Sequence, residues 1–188
     1  MKYDMTAIIF AGGKSSRMGK DKALLPFAGY STLSEFQYNK LSSLFDTVYI
    51  SSKEDKFDFE ATVITDLYEE NSPLVGIISV FEALEADEVF ILSVDAPFVN
   101  EEVIEKLLNH NKEFDAVIAK STSGTQPLCG VYRRSILPLA QKHLKEGDHR
   151  LNNLLREADT QFVSFKDDTP FINLNHPHEY ENAIKSIT

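Results

Sequence analysis

The chain reads as an α/β protein with a mostly parallel central sheet flanked by helices, and three observations predict this. Short apolar runs of strand length alternate with segments of helical period along most of the sequence. No repeat, low-complexity stretch or long linker divides the 188 residues, so one domain over 1–188 is expected. The polar residues that stand out follow directly after apolar runs, at the carboxyl ends of strands, where open α/β sheets bind ligands.

Met5–Phe10 is a short apolar run that reads as a buried first strand and ends on Gly12 and Gly13. Residues 31–45 carry Leu33, Phe36, Leu41 and Leu44 at helical spacing behind Thr32-x-x-Glu35, a capping-box pattern. Thr47–Ser51 and Thr62–Thr65 are the next strands. Ser72 then caps a helix with Pro73 at its first position and Leu74, Ile77, Ile78, Phe81 and Leu84 on one face, running to about residue 86. Glu88–Val94 is apolar enough for a central strand. Asn100 caps a further helix, whose first turn holds Glu101 and Glu102 where carboxylates complement the dipole. Strands follow at Asp115–Ala119 and Leu128–Arg133, then a helix over 135–146 stopped by Gly147. A strand at Gln161–Phe165 and a terminal helix from Pro177 to about residue 187 complete the reading. Past residue 120 the alternation loosens, so an irregular or antiparallel part of the sheet is expected there.

Composition bounds the function. The formal net charge is −10, which argues against nucleic acid as a partner. No apolar run reaches the roughly 20 residues of a membrane span, and the N-terminus lacks a signal-peptide h-region. Cys129 is the single cysteine, so no intrachain disulfide can form and a cytoplasmic location is expected.

Against this acidic background, Lys14, Arg17, Lys20 and Lys22 fall within nine residues after the glycine pair. A glycine turn brings bare backbone N–H groups to a ligand, and clustered cations select an anion, most simply a polyphosphate. A solvated basic loop is the plainer reading. Five residues separate Gly13 from Gly19, and Asp21 follows Lys20, so this is not a Walker A loop; with no G-x-G it is not a dinucleotide fingerprint either. Asp95, after Glu88–Val94, puts a carboxylate at the sheet mouth, where it either binds Mg²⁺ or caps a turn. Asp66 reads as an acceptor for the N1–H and amine of guanine, or as a loop residue. In Phe171–Pro177, strict alternation would set Ile172 and Leu174 on one face and Asn173 and Asn175 on the other. Those amides suit a heterocycle such as a pterin, or cap the last helix. Arg133, Arg134, His149 and Arg150 read first as surface residues, with anion contacts as the alternative. Cys129 reads as a small core residue.

Together these residues resemble the molybdenum cofactor guanylyltransferase family of nucleotidyltransferases, over nearly the whole chain. Phe10-Ala11-Gly12-Gly13 stands where that family has Leu-Ala-Gly-Gly, continued by Ser16-Arg17-Met18-Gly19 and Asp21-Lys22-Ala23-Leu24-Leu25. Ser72-Pro73-Leu74-Val75-Gly76, Val94-Asp95-Ala96-Pro97-Phe98, Gln126-Pro127-Leu128 and Asn173-Leu174-Asn175-His176-Pro177 are similar to its later motifs. Gly13 matches the guanylyl rather than the cytidylyl enzymes. Ser51 stands in place of the family's asparagine, Ser72 of a glycine and His176 of a threonine.

The resemblance implies a three-layer Rossmann-like fold of glycosyltransferase-A type. It implies Mg²⁺-dependent transfer of GMP from GTP to molybdopterin or its molybdenum-loaded form, with release of pyrophosphate. Arg17, Lys22 and Asp95 would be catalytic, with Asp95 holding the metal. Phe10, Ala11, Gly12, Gly13, Lys22, Ser51, Asp66 and Asp95 would bind the nucleotide, in the N-terminal part of the chain. Asn173 and Asn175 would hold the acceptor in the C-terminal part. A monomer is expected, with a molybdenum-insertion protein and a recipient molybdoenzyme as partners. The alternatives are a transferase using CTP or a sugar-phosphate acceptor, and a non-catalytic GTP- or cofactor-binding module.

Overall fold

The computed structural model describes residues 2–13, 18–110 and 113–187. Seven strands form one sheet in the order β3-β2-β1-β4-β6-β5-β7. They are β1 (Tyr3–Phe10), β2 (Phe45–Ser52), β3 (Thr62–Thr65), β4 (Glu88–Ser93), β5 (Ala116–Ser121), β6 (Gly124–Arg133) and β7 (Thr160–Ser164). β6 runs antiparallel to both its neighbours, and every other pairing is parallel. The looser pattern after residue 120 therefore corresponds to one reversed strand.

Helices cover both faces. These are α1 (Leu33–Leu44), α2 (Pro73–Ala83), α3 (Glu101–Leu108), α4 (Leu137–Lys145), α5 (Leu151–Glu157) and α6 (Pro177–Ile187). The period-2 alternation of each strand sorts the core into two layers. Ala7 and Ile9 of β1 pack with Leu33 and Leu41 of α1, Val103 and Ile104 of α3 and Ala183 of α6. Ile8 and Phe10 face the other way, with Leu74 and Ile78 of α2, Ala140 of α4 and Leu154 of α5. Each fully buried Ile or Leu contributes about 1.5–3 kcal/mol relative to exposure.

Caps end and start helices as the sequence predicts, with one shift. Thr32, Ser72 and Asn100 each accept a backbone N–H from three residues on, those of Glu35, Val75 and Val103. The Glu35 carboxylate reaches back to the N–H of Ser31 rather than of Thr32, so the capping box is displaced by one residue. α5 has no counterpart in the sequence reading, because it spans only seven residues and opens on Arg150 with no side-chain cap.

The sheet order positions the site. Chain progression moves from β1 outward to β2 and β3 on one side, then crosses back to β4 on the other. A crevice must open where the direction reverses, at the carboxyl ends of β1 and β4. Phe10 is level with Ser93 there, and Val94 N–H bonds to Phe10 O at 2.9 Å, so Gly12 and Asp95 emerge side by side.

Candidate active site

The glycine turn leaves β1 anchored by Ala11, whose N–H donates to Ser51 O at 2.9 Å. Gly12 and Gly13 are exposed beyond it. Gly13 sits at φ +126°, which only glycine adopts without strain, and the direction a Cβ would take is open for 4 Å. The chain re-enters at Asp21, whose carboxylate caps a short 3₁₀ turn by accepting from Ala23 N–H at 3.1 Å. Lys56 joins the two ends of this loop, donating to Asp21 Oδ2 and to Ala11 O. Lys20 is exposed. Lys14 and Arg17 lie outside the described residues.

That turn aims Lys22 at the end of β4. Its ammonium lies 2.5 Å from Asp95 Oδ2 and 3.1 Å from Asn175 Oδ1. Asp95 is further held by Ser93, whose hydroxyl donates to Asp95 Oδ1 at 2.6 Å, and its carbonyl accepts from Leu174 N–H at 2.8 Å. Three separate stretches of chain thus meet on one cation and one carboxylate, both mostly shielded from water.

Asp95 lines one of two cavities that share Pro73 and Leu128. The smaller, about 400 Å³, is walled by Phe10, Gly12, Gly13, Ser51, Ser52, Asp66 and Gly76. Burial raises the Asp66 carboxyl above the usual carboxylate range, partly offset by Lys53. The larger, about 600 Å³, is lined by Asp95, Gln126, His149, Arg150, Asn152, Asn153, Arg156 and Asn173. His149 Nδ1 and the Ser72 hydroxyl are 2.7 Å apart. Arg150, then Asn153, hold the Asp148 carboxyl well below its ordinary range, fixing the entry to α5.

The expected alternation over 171–177 does not form. Phe171 and Leu174 are buried while Ile172 is 46% exposed, because a 3₁₀ turn at Thr169–Phe171 replaces extended chain and spaces the anchors by three. Asn173 consequently lines the larger cavity while Asn175 meets Lys22. Arg133 and Arg134 lie at the opposite end of the sheet. Arg133 binds Glu88 and Phe114 O, and Arg134 binds the carbonyls of Phe81, Leu84 and Ala86. Cys129 is buried, which pushes its thiol up to about 12. Sequence reasoning missed Asn152, Asn153 and Arg156, because α5, which carries them into the cavity, was not legible.

A family model described as the MobA-like NTP transferase domain matches residues 7–162. The chain belongs to the MobA-like NTP transferase family. Among relatives of this MobA-like chain, the molybdenum cofactor guanylyltransferase of Campylobacter jejuni (strain RM1221) is 37% identical, over 95% of this chain and 94% of the relative. The protein of the same name from Helicobacter pylori (strain G27) is 34% identical, over 98% and 94%. The crystal structure of molybdopterin-guanine dinucleotide biosynthesis protein A from Archaeoglobus fulgidus superimposes with a TM-score of 0.84 at 22% identity, covering 97% of this chain and 98% of that one. The MobA-like match ends before Asn173 and Asn175, which the longer relatives do span. No helix among the described residues of this MobA-like protein is long and apolar enough to cross a membrane.

Proposed function

We propose that this protein transfers GMP from GTP to the terminal phosphate of molybdopterin or molybdenum-loaded molybdopterin. An oxygen of the acceptor phosphate bonds to the α-phosphorus, the bond to the β-phosphate oxygen breaks, and pyrophosphate leaves. The observation that carries the reading is the Lys22 ammonium held between Asp95 and Asn175, with Asp95 on the wall of the larger of two neighbouring cavities. The names of the relatives supply the nucleotide and the acceptor.

The acceptor brings its own nucleophile, so the protein's task is positioning and charge compensation. Gly12 and Gly13 present backbone to the nucleotide, anchored by Ala11 on Ser51 O, with Phe10 and Ser51 as walls of its cavity. Asp66 accepts from the guanine N1–H and amine when ionised. Lys22, stored on Asp95 and Asn175, compensates phosphate charge, and Arg17 assists on the pyrophosphate side. Asn173 and Asn175 hold the pterin side.

The residues present fit Mg²⁺ carried in with the nucleotide. Among the described residues no three carboxylate, histidine or cysteine groups gather into a metal cage. Asp95 offers hard oxygens at the rim, and Mg²⁺ commonly takes one or two carboxylates beside substrate phosphates. Bound there by Asp95, Mg²⁺ would neutralise charge on the phosphates and the leaving pyrophosphate. The test is pyrophosphate release with Mg²⁺, molybdopterin and each of GTP, CTP, ATP and UTP in turn. Release with GTP alone, dependent on the pterin and abolished by metal chelation, is expected. Release with CTP would favour a cytidylyl enzyme, and no release with any nucleotide a binding module.

A further inference from the structure

The Asp95 turn is held from behind by one face of α1. Gln37 Nε2 donates to Ser93 O at 3.2 Å and to Val94 O at 3.3 Å. One helical turn on, Lys40 Nζ donates to Pro97 O and Val99 O, both at 3.0 Å. Spacing of three residues stacks the two side chains on the same face. Between them they take four carbonyls that bracket Asp95, two on each side.

On its other side the turn is tied by Val94 N–H to Phe10 O at 2.9 Å and by Leu174 N–H to Asp95 O at 2.8 Å, which leaves the carbonyls of Pro97 and Val99 to α1. The turn's own backbone bonds are Ala96 N–H to Ser93 O at 3.2 Å and Val99 N–H to Ala96 O at 3.5 Å, and Pro97 has no N–H to give. Both α1 side chains are poor choices for stability alone. Gln37 is fully buried, and its Oε1 has no hydrogen-bond partner in the structure. A buried amide with an orphaned oxygen is costly, so the site is arranged for its NH₂ group. The Lys40 ammonium is enclosed near Cys129, and an apolar side chain of the same length would pack there at lower desolvation cost. What an apolar residue cannot do is satisfy the carbonyls. The contacts run on to the carboxylate: Gln37 holds the backbone of Ser93, whose hydroxyl holds Asp95 Oδ1.

We infer that Gln37 and Lys40 are positioning residues, which set the Asp95 carboxylate for the metal-nucleotide complex by clamping the turn on either side of it. The inference rests on the nucleotidyl-transfer reading above. Neither residue touches substrate; both act through Asp95.

The full chain, wild type and with Lys40→Met or Gln37→Met, decides the matter. Mn²⁺, a spectroscopic stand-in for Mg²⁺, is titrated by electron paramagnetic resonance with a non-hydrolysable GTP analogue bound, and pyrophosphate release is followed in parallel. Each variant is expected to lose roughly 10- to 100-fold in kcat, as for a sub-ångström to ångström misplacement of a catalytic group. Mn²⁺ affinity should fall about tenfold, while metal-free affinity for the analogue stays within about twofold. With Asp95→Asn already present, either substitution should change Mn²⁺ affinity by less than about twofold, since residues acting as a unit are non-additive. Unchanged Mn²⁺ affinity in a natively folded variant would overturn the inference, whatever happens to the melting temperature. Gln37→Met carries the test where Lys40→Met loses its native circular dichroism. Wild-type protein that releases no pyrophosphate defeats the functional reading instead, and the Mn²⁺ titration still judges the clamp.

Discussion

Lys22 and Asp95 lie 73 residues apart in sequence and 2.5 Å apart in the fold. Removing either should separate chemistry from stability, because both are rim residues rather than core. Asp95→Asn is expected to abolish metal-dependent turnover while the circular dichroism spectrum stays native; near-normal pyrophosphate release would end its assignment as the metal carboxylate. Lys22→Ala should lose about 10²-fold or more in kcat/KM, the usual scale for one preorganised charge contact, and a loss of only twofold would reduce it to a structural partner of Asp95. Lys40 makes a prediction of another kind. Burial lowers its ammonium from the ordinary 10.5 to about 7. Between those values the unfolded chain holds a proton that the folded protein has released, so this group makes stability rise with pH from about 7 toward 10.5. Denaturant melts at pH 7 and pH 9 should show a larger gain in wild type than in Lys40→Met, by at most about 1.4 kcal/mol per pH unit. Either charge state keeps two N–H donors for Pro97 and Val99, so the clamp itself survives the titration.

At the scale of elements, the sequence was most legible where local chemistry decides the outcome. Ser72 with Pro73, Thr32 and Asn100 mark helix starts that the structure reproduces, since a cap acts within one turn. The seven strands are likewise foreshadowed by their apolar runs: Thr62–Thr65 coincides at both ends, and no end is displaced by more than the four residues at the start of β6. α5 escaped because its apolar set, Leu151, Leu154 and Leu155, is only one helical turn long. Segment 171–177 departs from the alternation its sequence suggests, because alternation holds for extended chain and Phe171 and Leu174 are anchored three apart instead. α2 also packs unusually close to the nucleotide cavity. A Cβ on Gly76 would stand 2.8 Å from the Phe10 ring and 3.3 Å from Ser51 Oγ. Gly76→Ala should therefore push Phe10 into that cavity and raise KM for GTP, with a stability cost of about 1–3 kcal/mol in thermal melts. An unchanged KM would mean that the ring swings away from the nucleotide.

Over the whole molecule, the reversal of sheet order between β1 and β4 creates the crevice, and β6, α5 and the segment before α6 build its second half. The two adjoining cavities should divide the labour. Asp66→Ala is expected to raise KM for GTP by roughly tenfold or more, the scale of a lost hydrogen bond to a charged group, with KM for the pterin unchanged. Asn173→Ala should do the converse, and steady-state kinetics with each substrate varied in turn would show it. Parallel shifts in both constants would mean one shared site.

The sequence by itself determined the α/β class, the strand-end placement of Gly12, Asp66 and Asp95, and the family, because caps, apolar periods and short motifs are local. Only the tertiary structure decided that Lys22 rests on Asp95 and Asn175, that Asn173 and Asn175 part company, and that Gln37 and Lys40 stand behind the Asp95 turn. Those contacts join residues 56 to 153 positions apart. Such pairings follow from sheet order and helix packing, which no local pattern encodes.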